Sequence, residues 1–150
     1  GNKFEVAKDV TLDVGYLRYE YPSSKDFNPK PNTDEVYVGA TWGPLSVKYS
    51  YSINDTFGVP NSKGSDFIEA NVAYPLTEKL TLTGHVGKQT YKNNGALTYT
   101  VYKLGATYDF GGGFSVGGYY KDTNADEALY TVKGKDWSKG RGVAFVAYSF

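Results

Sequence analysis

Apolar and polar side chains alternate without interruption between residues 45 and 53. The two sets have opposite parity: Leu45, Val47, Tyr49, Tyr51 and Ile53 against Ser46, Lys48, Ser50 and Ser52. Because successive side chains of a β-strand point to opposite faces, this pattern predicts a strand with one apolar and one polar face. Similar alternation recurs along the chain, at 10–21, 35–42, 65–74, 79–91, 97–110, 114–121 and 141–150. We therefore predict an all-β protein with eight full strands, preceded by a strand tail at 1–6.

The predicted connections alternate between short and long. Turns lie at 43–44, 75–78 and 111–113, and polar loops lie at 22–33, 54–64, 92–95 and 122–140. Short turns on one side and long loops on the other are typical of outer-membrane barrels. We predict one domain, residues 1–150, that forms an antiparallel up-and-down transmembrane β-barrel in the bacterial outer membrane. The alternation shifts phase near Tyr16 and Leu17, which predicts a β-bulge or the membrane boundary there.

The apolar face of the predicted strands carries two groups of aromatic side chains. One group lies at the short-turn ends: Trp42, Tyr74, Tyr108, Phe110, Phe114, Tyr148 and Phe150. The other lies toward the loop ends: Tyr16, Tyr51, Phe67, Tyr91, Tyr99 and Tyr120. Two aromatic bands are typical of a barrel that meets a membrane interface on each side. We predict that the apolar face meets lipid, with Arg18 and Lys88 near its edges.

The opposite, polar face predicts the residues that line a lumen. They are Asp13, Lys48, Glu69, His85, Lys103, Asp109 and Lys121. Because buried charges need partners, we predict an internal network of ion pairs among them. Val143 and Phe145 are exceptions, since these apolar side chains have inward parity in the last strand.

Composition excludes several functional classes. The chain has 16 basic and 16 acidic side chains, so its charge does not suggest a nucleic-acid partner. It has no cysteine, which excludes disulfides and thiolate metal sites. No apolar run reaches the about 18 residues of a transmembrane helix.

Candidate catalytic and metal-binding motifs are weak. His85 is the one histidine, and a hydrogen-bonded lumen histidine explains its mid-strand position better than an active site does. Residues 122–126 have the one-three-five spacing of a calcium loop, but Glu127 replaces its glycine and Lys133 its closing glutamate. Residues 111–113 lack the lysine that follows in a phosphate loop. We predict no catalytic residue, metal or cofactor, and therefore a protein that is not an enzyme.

Stretches 34–40, 43–52 and 69–76 read DEVYVGA, GPLSVKYSYS and EANVAYPL. They resemble the TorF-type porin family of Gram-negative bacteria. The resemblance implies an outer-membrane β-barrel that passes small solutes, among partners that include outer-membrane lipid and lipopolysaccharide. Family members carry further strands before the region that matches residue 1, so it also implies the C-terminal part of a larger barrel. A homo-oligomer is the alternative source of additional strands.

Three functional interpretations stay open from the sequence. The first is a porin for passive passage of small solutes. Eight strands enclose room only for side chains, so the second is a closed barrel that acts as a scaffold or binds partners through its loops. The third is a soluble, lipocalin-like barrel with its apolar face inward.

Overall fold

The computed structural model describes residues 1–22 and 28–150, so part of the predicted loop 22–33 lies outside the described residues. Within them, nine strands form one antiparallel sheet. Its strands are β1 (Asn2–Ala7), β2 (Val10–Tyr19), β3 (Thr33–Trp42), β4 (Leu45–Ser52), β5 (Asp66–Pro75), β6 (Leu80–Thr90), β7 (Tyr99–Gly111), β8 (Phe114–Thr123) and β11 (Arg141–Tyr148). The all-β, up-and-down prediction is therefore confirmed, with strand ends within about two residues of those predicted.

Each strand of the sheet pairs with its neighbour in sequence, so local turns determine the topology. The turn side has two-residue connections at 8–9, 43–44 and 112–113 and a four-residue connection at 76–79. Gly43 has φ +52° and Gly112 has φ +62°, a left-handed conformation that glycine adopts without steric cost. On the loop side, residues 124–140 contain a short helix, α1 (Glu127–Tyr130), and a small hairpin of β9 (Thr131–Val132) and β10 (Lys135–Asp136).

The sheet is open, and this corrects the predicted closed ring of eight strands. A ring that starts at residue 10 requires β2 to pair with the last strand, but β1 occupies that edge of β2. Among the described residues, β1 and β11 are not paired with each other. Eight antiparallel pairings separate them, an even number, so both edge strands run from the loop side to the turn side.

Two irregularities interrupt the ladders, and neither lies where the sequence suggested a bulge. The register shifts between Glu5 and Ala7 in β1 and between Asp109 and Gly111 in β7. The ladder of β2 with β3 is continuous from Val10 to Tyr19, so the bulge predicted at Tyr16 and Leu17 is wrong, and the membrane boundary given as its alternative stays a prediction. Both side chains are instead exposed near the loop-side end of the strand, where Tyr16 donates a hydrogen bond to Asp34.

Burial in this protein is inverted relative to a water-soluble domain. The most deeply buried side chains of the described residues are small and polar: Thr33, Ser52, Thr56, Ser62 and Ser65. By contrast, central apolar residues of the strands are exposed, among them Val38, Tyr49, Val72, Val86 and Leu104. Soluble proteins rarely expose a large contiguous apolar patch, so this face is unusual for a water-soluble domain.

Candidate functional site

The polar face of the sheet brings charged side chains together at its centre. Lys48 of β4 lies directly opposite Glu69 of β5, and its Nζ is 2.8 Å from Glu69 Oε1. Glu69 Oε2 lies 3.6 Å from His85 Nδ1 and accepts a hydrogen bond from Asn71 Nδ2 at 3.4 Å. The same His85 nitrogen is 2.7 Å from Asn71 Oδ1. Lys48 and Glu69 therefore form one ion pair of the kind that the sequence predicted for this face, and Asn71 and His85 extend it through polar contacts.

Tyr37 extends this network toward the first strands. Its hydroxyl donates to Asp13 Oδ1 at 3.3 Å, and Lys48 Nζ lies 5.9 Å from the centre of its ring. Asp13 thus has a phenol as its partner instead of a cation of the predicted ion-pair network. Glu35, also on this face, is buried with 6% of its surface exposed.

The predicted residues of the later strands do not join the cluster. Lys103 lies above the ring of Tyr119, with 5.5 Å from its Nζ to the ring centre. Lys121 is exposed and lies directly opposite Lys103. Asp109 is at the far end of β7, where its carboxylate accepts the Gly111 N–H at 2.7 Å. No salt bridge within residues 1–22 and 28–150 involves any of these three predicted lumen residues.

Inward aromatic rings pack over glycines of the neighbouring strand. A Cβ added to Gly15 would lie 2.6 Å from the Tyr37 hydroxyl, and one added to Gly117 would lie 2.5 Å from the ring of Phe145. Phe67 over Gly87 repeats the arrangement, whereas a Cβ added to Gly105 would lie 2.6 Å from the Cβ of Tyr119. Phe145 therefore does point to the polar face, and the glycine opposite it provides the space.

The loop-side end of this face is covered by an ordered loop, residues 53–65. The Thr56 N–H donates to Ser62 Oγ at 2.7 Å, and the Ser62 hydroxyl donates to the Val59 carbonyl at 2.6 Å. The Phe57 N–H donates to Thr33 Oγ1 at 2.6 Å, which ties the loop to the start of β3. Buried polar groups of this kind hold a loop in one conformation when they are paired. The loop therefore covers the start of β3.

A cavity of about 220 Å³ lies at the loop-side end of the later strands. Its walls come from β7, β8 and residues 125–139, and they include Tyr99, Lys121, Tyr130, Trp137 and Lys139. Tyr99 and Tyr130 pack edge to face at 5.5 Å, and the Tyr130 hydroxyl donates to the Leu97 carbonyl at 2.6 Å. Burial raises the pKa of Tyr130 and raises that of neighbouring Tyr91 to about 12.

The aromatic side chains that the sequence placed at the turn-side ends all lie exposed. They are Trp42, Tyr74, Tyr108, Phe110, Phe114, Tyr148 and Phe150. Several contact one another, with 4.9 Å between the rings of Tyr108 and Phe110 and 5.6 Å between those of Phe110 and Phe114. They form a band along the turn-side edge of the apolar face.

The loop-side aromatic group is divided, which corrects the second predicted band. Tyr16, Tyr51 and Tyr120 are exposed as expected. Phe67 instead covers Gly87 on the polar face because it has the parity of Glu69. Tyr91 is buried beneath the loops, and Tyr99 lines the cavity. Strand parity explains Phe67, whereas the loop contacts of Tyr91 and Tyr99 could not be read from periodicity.

Several participants in the polar face were not singled out from the sequence. Tyr37 and Asn71 share the parity of Asp13 and Glu69, so alternation alone was a usable signal for them. Arg141 was missed because its place opposite Lys121 depends on the register of the last strand.

No metal-binding cluster occurs among residues 1–22 and 28–150. In the calcium-like segment, Asp122 Oδ1 accepts the Thr123 N–H, and Asp126 Oδ1 accepts the Ala128 N–H at the start of α1. The described part of the chain also contains no helix with the length and hydropathy needed to cross a membrane.

The sequence model of one protein family, described as "Bacterial protein of unknown function (Gcw_chp)", matches residues 1–150. The chain belongs to the Gcw_chp family. No curated protein and no solved structure matches this Gcw_chp chain.

Proposed function

We propose that the protein is an outer-membrane β-barrel, of the porin type, through which small solutes pass passively along the polar face. The observation that carries this proposal is the inverted burial: exposed apolar strand faces with a turn-side aromatic band, opposite a polar face on which Lys48 and Glu69 are paired. In the proposed barrel, the exposed apolar face contacts lipid, and the aromatic band lies where the lipid meets water.

The proposed barrel needs strands beyond the nine described. In hydrocarbon, each unpaired backbone group costs several kcal/mol, so the free edges of β1 and β11 require partners. Because these edges run in the same direction, a ring closed by antiparallel pairing alone needs an odd number of additional strands. Strands from a region before residue 1 fit this need. A second copy in the same membrane orientation does not fit this need, because its own edge strands run in the same direction as β1 and β11 and would pair with them in parallel.

The proposed passage depends on the polar face replacing part of a solute's hydration. Lys48, Glu69 and His85 offer charged and neutral groups near the middle of the strands. The loop 53–65 limits the entry of solutes over the early strands, and hydrogen bonds to its buried hydroxyls hold it in place. The residues act by position and charge, without a chemical step.

Lipid contact can be tested with the two tryptophans. Trp42 is in the turn-side aromatic band with 66% of its surface exposed, and Trp137 is in the loop region. In vesicles of brominated phosphatidylcholine, the Trp137→Phe variant should lose most of its fluorescence because only Trp42 remains. The matched Trp42→Phe variant should lose little. Equal quenching of both, or of neither, would reject the proposed orientation.

Passage itself is tested by conductance in planar lipid bilayers. A porin gives stepwise current increases, whereas a barrel whose side chains block its lumen gives none. Trp42 quenching without conductance would favour the second candidate, a barrel that acts as a scaffold or binds partners through its loops. The ordered loop 53–65 and the exposed Trp137, with Lys135 Nζ 4.1 Å from its ring centre, are the features that favour that candidate.

The lipocalin-like alternative requires a core made from the apolar face. Tyr49 and Val72 are 40% and 39% exposed, whereas the Glu69 side chain is only 15% exposed. This distribution favours a membrane barrel. Extraction of the protein into buffer without detergent would reverse that preference.

A further inference from the structure

Three cations lie side by side across the last strands of the sheet. Lys103 of β7 is directly opposite Lys121 of β8, which is directly opposite Arg141 of β11. The Cβ atoms of such pairs are about 5 Å apart, so three positive charges share a strip about 10 Å wide. Like charges directly opposite each other destabilise a sheet, so folding alone does not account for this arrangement.

These cations have no acidic partner among the described residues. Lys103 rests above the Tyr119 ring, and Arg141 Nη2 donates to the carbonyl oxygen of Asp136 at 2.8 Å. By contrast, Lys48 on the other half of the same face is paired at 2.8 Å. The row therefore retains its positive charge.

The acidic side chains of this face lie elsewhere. Asp13, Glu35 and Glu69 belong to β2, β3 and β5. Asp109 has the parity of Lys103 but follows it by six residues, about 20 Å along the strand at about 3.4 Å per residue. The polar face is thus divided into an acidic half with one paired lysine and a cationic half.

The 220 Å³ cavity at the loop side adjoins this row because Lys121 belongs to both. Lys139 also lines the cavity. Asp122 is the one carboxylate among the lining residues, and its Oδ1 accepts the Thr123 N–H. Tyr99, Tyr130 and Trp137 supply aromatic surface in the same walls. Positive charge beside aromatic surface suits an organic anion with an apolar body.

We propose that the cationic row and this cavity form a binding strip for small organic anions. Lys103, Lys121 and Arg141 attract the carboxylate or phosphate oxygens, and the aromatic walls contact the carbon skeleton. Lysines and arginines that line a pore favour anions by their field and by replacing water around the anion. This inference rests on the proposed function and names its solute class.

Ion selectivity tests the proposal. In a planar bilayer with a KCl gradient, the reversal potential of the wild-type channel should indicate a preference for chloride. The double variant Lys103→Glu, Lys121→Glu should shift it to a preference for potassium. Lys79→Glu, in the exposed turn after β5, makes the same type of charge change away from the row and should leave the potential nearly unchanged. A conducting channel whose potential is insensitive to the double variant would overturn the anion strip and leave the porin function intact.

A binding measurement separates the two proposals if no variant conducts. In detergent-solubilised Trp42→Phe protein, benzoate should change the emission of Trp137, and Lys121→Gln should weaken its apparent affinity several-fold. Benzyl alcohol, which is uncharged, should have little effect. Benzoate binding without conductance would support the strip and reject the channel. Benzoate binding that is absent, or the same in the Lys121→Gln protein, would overturn the strip.

Discussion

At the scale of single residues, the polar face is organised by size as well as by charge. Glycines on one strand accept the aromatic ring of the next, as Gly15 accepts Tyr37 and Gly117 accepts Phe145. Such pairs bury ring surface and compensate for the side chain that glycine lacks. Alternation predicted which residues share a face, but it could not predict that Phe145 fits on the polar one, since that depends on the glycine across the ladder.

Gly117→Val should destabilise the protein by about 1–3 kcal/mol, because the new side chain overlaps the Phe145 ring. Urea unfolding in lipid vesicles, followed by tryptophan fluorescence, measures the change. Gly142→Val is the control, since a Cβ at Gly142 meets no atom of the described residues within 4 Å. Equal stability of the two variants would contradict the packing described for Phe145.

At the scale of elements, strands and loops differ in how well the sequence predicts them. Strand positions followed from a period of two, which is a local property of each segment. The contacts of loop 53–65 join residues far apart in sequence, such as Phe57 with Thr33, and no local pattern encodes them. The cationic row was missed for a related reason, because cross-strand register decides which charges become neighbours.

Two hydroxyls of loop 53–65 should respond differently to removal. Ser62→Ala leaves the buried Thr56 N–H and Val59 carbonyl without their partner, at a cost of about 1–3 kcal/mol to the local order. Thr56→Val should be neutral or stabilising, since Thr56 Oγ1 is buried without a hydrogen bond to any of the described residues. Hydrogen exchange of the loop amides should therefore accelerate only in Ser62→Ala. Acceleration in both would argue against the assigned hydrogen bonds.

The tyrosines beneath the loops should make this region sensitive to alkali. The pKa of Tyr91 is raised from 10.0 to about 12, so the folded state holds its proton more tightly than the unfolded state does. The resulting stability is fully present below about pH 10 and is lost as pH rises toward about 12. Phenolate absorbance and loop hydrogen exchange should change together in that range. Tyr91→Phe should reduce the effect, and an unchanged pH profile in that variant would assign it to other groups.

At the scale of the whole molecule, the faces were predictable and the closure was not. Alternation correctly placed Val47 on the apolar face and Lys48 on the polar face, because the face of a side chain depends only on its position in its own strand. The ring of eight strands was wrong because β1, read only as a strand tail, takes the edge of β2. Whether the sheet closes into a barrel depends on the total number of strands, and the sequence of one segment does not contain that information.

Arginine placed on adjacent residues should distinguish the two faces in a bilayer. Val47→Arg puts a charge on the apolar face and should cost about 2–4 kcal/mol near the middle of the membrane. Ser46→Arg, on the polar face, should cost much less. Unfolding free energies in lipid vesicles provide the comparison. A larger loss for Ser46→Arg would mean that the polar face meets lipid.

The inverted burial also has a consequence for how such a chain reaches its native state. Alternation with a period of two is compatible with either the apolar or the polar side chains in the interior, so the surrounding solvent determines which set is buried. If the chain collapsed in water, it would gather its valines and tyrosines centrally, and arrival at hydrocarbon would then demand a complete reversal. For the proposed membrane barrel, we therefore expect delivery as an uncollapsed polypeptide that a chaperone holds until it meets lipid.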